Sequence, residues 1–147
     1  LVNSETMLLS AAALAPGNPK AANALAWLYG EELSNPQRGL EVLTAFDRDG
    51  GVPTPELLDT YGMLLLRTGK WDQAEQKLRE CLRVGGLSPV AASANFHLAL
   101  IHIERGRADD ARHCLNRALQ LHESMGGLTR RQLDECRRML AETVTSG

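Results

Sequence analysis

The stretch "YGMLLLRTGKWDQAEQKLRECL", residues 61–82, decides the fold. Its apolar residues recur at the spacing of an α-helix, stop at Thr68-Gly69-Lys70, and resume with the same period. A linker this short forces two successive helices to lie antiparallel. The stretch therefore predicts a helix hairpin.

Three Gly-Gly pairs mark further helix ends. They open the segments "GGVPTPE" (50–56), "GGLSPVA" (85–91) and "GGLTRRQ" (126–132), which recur about every 35 to 41 residues. Glycine in the left-handed conformation stops a helix, so each pair is expected to end one helix shortly before the next begins. The recurrence indicates a helical repeat.

The residues after each pair are typical of helix starts. Thr54, Ser88 and Thr129 are expected to accept hydrogen bonds from the first N–H groups of the next helix. Pro55 and Pro89 are expected at the first helical position, where no N–H is needed. Asn18-Pro19 and Asn35-Pro36 repeat this arrangement, and Thr129 with Gln132 has the spacing of a capping box.

This punctuation predicts eight helices, over residues 4–15, 19–33, 36–48, 55–68, 71–84, 89–105, 108–123 and 130–144. Small residues are expected where the helices of a hairpin cross: Ala26 with Gly39, Gly62 with Ala74, and Ala99 with Ala111. A single hairpin cannot bury its apolar surface, but stacked hairpins can. The prediction is an all-α, right-handed solenoid in one domain.

Composition excludes several function classes. The formal net charge of -2 gives no general attraction to nucleic acid, and no apolar run is long enough to insert directly into a membrane. The chain begins at Leu1 without a recognisable signal peptide, so it is expected to be a piece of a longer protein or a processed product.

No chemical site is indicated by the sequence. Cys81, Cys114 and Cys136 lack the spacing of a zinc or disulfide framework and are expected in the core. His97 and His102 are too far apart around a helix to bind one metal. No nucleophile-base set or phosphate loop is present, so neither catalysis nor a cofactor is expected.

The hairpins resemble the tetratricopeptide repeat (TPR) family. "LLDTYGMLLLRTGKWDQAEQKLREC" and "NFHLALIHIERGRADDARHCLNRA" place large, small and aromatic residues as that family does. "NALAWLYGEELSNPQRGLEVLTAF" also matches, but it carries one extra turn residue and a bulky Phe46 where a small residue is usual, so its second helix is expected to be shifted.

The resemblance implies a division into repeats. Residues 1–16 look like the second helix of a partial repeat, 19–48, 55–84 and 89–123 like full repeats, and 129–147 like a polar capping helix. A narrower resemblance is to the distal repeats of bacterial TPR proteins of exopolysaccharide secretion and of the PEP-CTERM system. The sequence leaves the localisation open, with the bacterial cytoplasm and the periplasm as the two alternatives. Pentatricopeptide repeats, which bind RNA through basic faces, are disfavoured by the acidic balance.

The family resemblance also implies a concave groove lined by the first helix of each hairpin. The helical period then selects its lining: Asn23, Trp27 and Glu31; Asp59, Met63 and Arg67; Phe96, Leu100 and Glu104. An apolar middle row suits a peptide that inserts apolar anchors. Arg67 alone opposes the acidic groups, so a terminal carboxylate is disfavoured as ligand.

The expected function is therefore a non-catalytic protein-protein interaction module that binds a peptide or partner protein within a larger bacterial assembly or secretion protein. The alternative is a structural spacer or self-association segment, whose apolar faces meet further repeats or a second copy in a homodimer. In that case the groove residues bury against a neighbour and there is no separate ligand.

Overall fold

The computed structural model describes residues 3–14 and 16–145. Residues 1, 2, 15, 146 and 147 lie outside the described part, so the predicted helix end at 15 and the outer limits of the ranges 1–16 and 129–147 are not described. The described residues form eight α-helices: α1 Ser4–Leu14, α2 Pro19–Trp27, α3 Pro36–Arg48, α4 Pro55–Arg67, α5 Trp71–Gly85, α6 Val90–Glu104, α7 Ala108–Met125 and α8 Arg130–Thr145. A π-helix over Leu28–Glu32 continues α2.

The chain forms two compact units, unit 1 over Leu1–Ala74 and unit 2 over Glu75–Gly147. Unit 1 is built on a core of fully buried leucines, which are Leu25, Leu43, Leu57, Leu58 and Leu64. Unit 2 has its own core of Leu78, Cys81, Ile101, Leu115 and Cys136. Each unit therefore has the buried apolar set that a helix hairpin cannot supply alone.

Side-chain caps explain most of the helix starts. Asn18 Oδ1 accepts hydrogen bonds from the N–H groups of Lys20 (2.9 Å) and Ala21 (3.2 Å). Asn35 and Thr54 cap α3 and α4 in the same way, each followed by a proline in the first turn.

The predicted capping box opens α8. Gln132 N donates to Thr129 Oγ1 at 3.1 Å, and Thr129 N donates to Gln132 Oε1 at 3.0 Å. Two orphan N–H groups are thus satisfied reciprocally, as predicted.

The helix start expected after the second Gly-Gly pair was wrong, although the pair does end α5. Helix α5 runs on to Gly85, and the Ser88 hydroxyl donates to Gly85 O (2.6 Å) instead of capping the next helix. Pro89 occupies the cap position of α6 and not its first turn. The serine satisfies a carbonyl at the end of α5, which leaves α6 without a side-chain cap.

Small residues are buried at the predicted helix crossings. At Gly39 an added Cβ would lie 2.8 Å from Ala26 O and 2.9 Å from Leu64 Cδ1, so only glycine fits there. Ala74, Ala99 and Ala111 are fully buried. Close approach of the backbones therefore depends on these positions.

All three cysteines are buried and free, as expected of core residues. Burial raises the pKa of the Cys114 thiol, and burial together with Glu135 raises the pKa of Cys136 to about 11. Both thiols therefore stay protonated near pH 7, and the protonated form is a poor nucleophile.

Candidate binding site

Six of the nine predicted groove residues lie in unit 1, on α2, on the π-helix that continues it and on α4. Asn23 and Trp27 are on α2, Glu31 is in the π-helix that continues it, and Asp59, Met63 and Arg67 are on α4. Helices α2 and α4 contact each other within unit 1. Spacing of four residues places each set of three along one side of its helix.

Trp27 is the most exposed aromatic residue at this place. Its exposed fraction is 46 %, while Asn23 and Glu31, one turn away on either side, are half-buried. Indole is costly to leave in water, and exposed Trp is enriched where proteins bind partners. We call the surface formed by Asn23, Trp27, Glu31 and Arg67 the α2–α4 face. It presents one large apolar anchor, Trp27.

The charges beside Trp27 are already paired. Arg67 forms a salt bridge with Glu31, and its Nη1 also donates to Gly30 O at 3.3 Å. The arginine was expected to oppose the acidic groups alone, and its guanidinium is instead held by one of them. Little free positive charge remains here to hold a terminal carboxylate.

Met63 and Asp59 lie below the surface. Met63 is 6 % and Asp59 8 % exposed, so neither offers much area to a partner in this conformation. A Cβ added at Gly30 would lie 3.9 Å from Met63 Cε, which puts the methionine under the π-helix. Its flexible thioether fills the space between α4 and this segment.

Asn23 leaves one polar atom unsatisfied. Its Oδ1 is buried and, among the described residues, has no hydrogen-bond partner. A buried acceptor without a donor is costly.

The three remaining groove residues belong to α6 of unit 2. Phe96 is buried at 4 % exposure, Leu100 is half-buried and Glu104 is exposed. Of these, Leu100 and Glu104 can contribute surface. Leu100 supplies apolar area next to a negative charge.

The π-helix was not predicted from the sequence. In the turn of the first hairpin, Asn35 N donates to Tyr29 O, six residues back, at 2.7 Å. The equivalent bonds of the other two hairpins span five residues: Lys70 N donates to Leu65 O (2.9 Å), and Arg107 N donates to His102 O (2.8 Å). The extra residue of the first hairpin is therefore absorbed before the turn, and α3 keeps its predicted bounds. A π-helix is the usual result of one inserted residue and often lies at functional sites.

Two contacts through Tyr29 hold the start of the π-helix. The Tyr29 hydroxyl donates to Glu5 Oε1 of α1 at 2.9 Å, and Arg38 stacks on the Tyr29 ring with Cζ 5.3 Å from the centroid. The spacing between Ala26 and Gly39, one residue longer than in the other hairpins, was the available signal. It placed the extra residue in the turn, and the structure shows it in the helix.

A charged cluster surrounds the buried His102 in unit 2. Glu75 accepts a hydrogen bond from Arg79 Nη2 (2.9 Å) and lies 3.7 Å from Arg107 Nη1. Burial acts to raise the pKa of Glu75, but the hydrogen bond from Arg79 and the charges of Arg79, Arg107 and His102 outweigh it and lower the pKa.

His102 itself is 3 % exposed, and its Nδ1 has no partner among the described residues. Burial lowers its pKa by more than the carboxylates of Asp110 and Glu75 raise it. The imidazole is therefore neutral near pH 7. Within the described residues, no group of three or more His, Cys, Asp or Glu side chains is placed to hold a metal ion.

Part of the chain is similar to a known protein family. Residues 62–125 match the family model of the tetratricopeptide repeat. The match supports the predicted resemblance to the TPR family. No curated protein gives a significant match to the chain.

Solved TPR-type structures share the fold. A crystal structure of MamA is 13 % identical, with 99 % of this chain and 97 % of that chain covered and a TM-score of 0.67. A TPR protein in Thermus thermophilus is 18 % identical over 97 % of this chain and 72 % of that one, with a TM-score of 0.68. PilW, a type IV pilus biogenesis factor, is 17 % identical over 95 % and 65 %, with a TM-score of 0.67.

These likenesses confirm the predicted fold class, an all-α TPR-type array of antiparallel hairpins. At such identities they concern the fold alone. The narrower resemblance to exopolysaccharide and PEP-CTERM proteins stays a prediction. In the described part of the chain, no helix has both the length and the apolar character needed to cross a bilayer.

Proposed function

We propose that the chain is a non-catalytic protein-interaction module that binds a segment of a partner protein on the α2–α4 face of unit 1. The single observation that carries this proposal is the exposure of Trp27 at 46 % beside half-buried Asn23 and the Glu31–Arg67 pair. TPR-type repeats typically serve as scaffolds, which agrees with a binding role.

The chemistry of this face favours a segment with an apolar anchor. Trp27 offers the anchor area for such a segment. The Glu31–Arg67 pair is neutral as a unit, so a terminal carboxylate finds no free cation there. An extended or helical segment that is neutral or weakly basic fits these groups.

A second surface of the same kind is proposed on α6 of unit 2, where Leu100 is half-buried and Glu104 exposed. We also propose that the module is part of a larger bacterial assembly or secretion protein. The likeness to PilW, itself a pilus biogenesis factor, is in keeping with this role.

The test is selection of random peptides displayed on phage against the folded chain, followed by affinity measurements on Trp27→Ala. Because 46 % of Trp27 is exposed, its removal should leave the fold intact, which circular dichroism checks. Peptides selected by the wild type should bind Trp27→Ala more than about tenfold more weakly, as expected for a central aromatic anchor.

The matched control is Leu87→Ala, which removes an apolar side chain that is 84 % exposed in the turn between α5 and α6. Its affinities should stay within about twofold of the wild type. Equal affinities for the wild type and Trp27→Ala would reject the α2–α4 face as the binding site.

The spacer alternative has one observation in its favour. On α1, Met7 is 60 % and Leu9 41 % exposed, and apolar side chains of this kind can meet a second copy. It predicts a concentration-dependent dimer in sedimentation velocity that Met7→Glu dissociates, with no effect of Trp27→Ala. A chain that stays monomeric at high concentration would exclude self-association through α1.

A further inference from the structure

Unit 1 carries a second concave feature on the other side of α4. Tyr61 and Leu65 lie about 200° around the helix from Met63 and Arg67, because each residue turns the helix by ~100°. There a pocket of about 90 Å³ opens between α3, α4 and the start of α5. It is lined by Gln37, Leu40, Glu41, Thr44, Tyr61, Leu65, Lys70 and Gln73.

The floor of this pocket is apolar. Leu40, Leu65 and Tyr61 are each at most 6 % exposed. The Tyr61 hydroxyl donates to the Asp47 carboxylate, and burial, followed by the charge and hydrogen bond of Asp47, raises its pKa to about 12. The phenol is therefore neutral, and its polar atom is already engaged.

The rim of the pocket is polar, and several of its side chains have no hydrogen-bond partner among the described residues. Within residues 3–14 and 16–145, the side chains of Gln37, Lys70 and Gln73 make no hydrogen bond or ion pair. Thr44 Oγ1 donates to Leu40 O (3.0 Å) and Glu41 O (3.1 Å) of its own helix. The two amides can thus bond the backbone of a bound segment.

The equivalent positions in unit 2 carry charged side chains. Counted from the helix starts, Leu40 and Thr44 correspond to Glu75 and Arg79. Counted from the turns and the next helix start, Leu65 corresponds to His102, Lys70 to Arg107, and Gln73 to Asp110. In unit 2 the Glu75–Arg79 and Glu75–Arg107 ion pairs occupy this place next to His102. In unit 1, Leu40 and Thr44 stand in place of the ion pair.

We propose that the unit 1 pocket binds one aliphatic side chain of a partner segment, of the size of Leu or Met. A volume of about 90 Å³ gives room for roughly three water-sized groups at ~30 Å³ each, which is about the bulk of such a side chain. The rim holds one carboxylate, Glu41, and one ammonium, Lys70, so it favours a segment without net charge. This site is separate from the Trp27 face and goes beyond the function proposed above.

The experiment is a titration of the ¹⁵N-labelled chain with N-acetyl-leucine methylamide, followed by two-dimensional NMR. The backbone amides of Leu40, Leu65 and Gln73 should shift in a saturable manner. N-acetyl-serine methylamide, with the same amides and no aliphatic group, should cause no saturable shift. Trp27→Ala should bind the leucine probe as the wild type does, which separates this site from the first.

Thr44→Arg tests the pocket, since it places there the arginine that unit 2 has at the corresponding position. Thr44 is exposed, so the fold should persist, and the probe should bind at least about tenfold more weakly. Ser124→Arg, a comparable change at an exposed position near the end of α7, is the control and should bind normally. Gln73→Arg serves as a second blocking variant should Thr44→Arg not fold.

Two results would overturn the proposal. One is that the wild type shows no saturable shift at the pocket residues, whether no residue shifts at all or only residues elsewhere do. The other is equal binding by the folded blocking variant and Ser124→Arg.

Discussion

Unit 1 and unit 2 share the same helix-hairpin geometry, but they carry different side chains at equivalent positions. Between successive second helices, unit 1 has Leu40 and Leu65 beneath an open pocket, whereas unit 2 has Glu75 and the buried His102 within a set of ion pairs. The backbone register is set by small residues and turns, which leaves these positions free to vary. Equivalent positions of repeats in one chain can therefore carry apolar side chains in one place and ion pairs in another.

The turns of the hairpins differ in the same way. Gly69 and Gly106 adopt φ of 77° and 70°, whereas Ser34 holds the corresponding left-handed conformation at φ 50°. The serine follows the π-helix that carries Glu31 toward Arg67. Unit 1 thus keeps a costly turn next to its proposed binding face, a pattern often associated with function.

The largest expected effect comes from Leu65→His, which puts the buried imidazole of unit 2 into unit 1. The change removes a side chain that is 3 % exposed and buries a polar group without the charges that surround His102. Urea unfolding should show a loss of about 3 kcal/mol. Leu66→His, at a half-buried neighbour, is the control; equal losses would mean that the two sites do not differ as described.

An intermediate effect is expected from exchanging the turn residues. Ser34→Gly relieves a left-handed conformation that costs an L-residue ~1–2 kcal/mol, while glycine adds ~0.4–1 kcal/mol of unfolded-state entropy. The net gain in the free energy of unfolding should be about 0.5 to 1 kcal/mol. Gly106→Ser should lose a similar amount, and a change of the same sign in both variants would contradict the equivalence of these turns.

The smallest effect at neutral pH is expected from His102→Leu. An apolar group of similar size replaces an imidazole with an unpartnered Nδ1, so stability at pH 7.5 should stay within about 1 kcal/mol of the wild type. The informative quantity is the dependence of stability on pH.

Burial gives His102 a pKa in the folded state below the unfolded value of about 6.5. Its contribution to stability is therefore present above the unfolded pKa and is lost as the pH falls through the folded pKa. His102→Leu should lose less stability than the wild type between pH 7.5 and pH 5 in urea unfolding. Parallel pH profiles of the two proteins would show that the nearby carboxylates raise the pKa of His102 by as much as its burial lowers it.

Much of the fold could be predicted because its signals are local. The bounds of α3, Pro36–Arg48, agree with the prediction since Asn35 and Pro36 mark its start. The buried cysteines and the small crossing residues follow from helical periodicity. The π-helix could not be placed, because an extra residue can be absorbed in the turn or in the helix, and only the hydrogen bonds distinguish the two.

The candidate site was less predictable because it depends on contacts between helices. Periodicity put Trp27, Met63 and Leu100 in one apolar row, but their exposure differs: Met63 is 6 % exposed and Trp27 46 %. The pairing of Arg67 with Glu31 joins residues of two different helical segments and depends on the π-helix. The pocket is lined by residues of α3, α4 and the start of α5, Thr44 among them, and no sequence signature marks these positions.

The most direct test of the account is the indole N–H signal of Trp27 in the ¹⁵N-labelled chain during titration with the tightest peptide from the phage selection. Trp71, the other tryptophan, lies at the start of α5 and serves as an internal reference. The account predicts that the Trp27 indole signal shifts in a saturable manner while the Trp71 signal stays in place. Saturable binding of the peptide that leaves the Trp27 indole signal in place would contradict it.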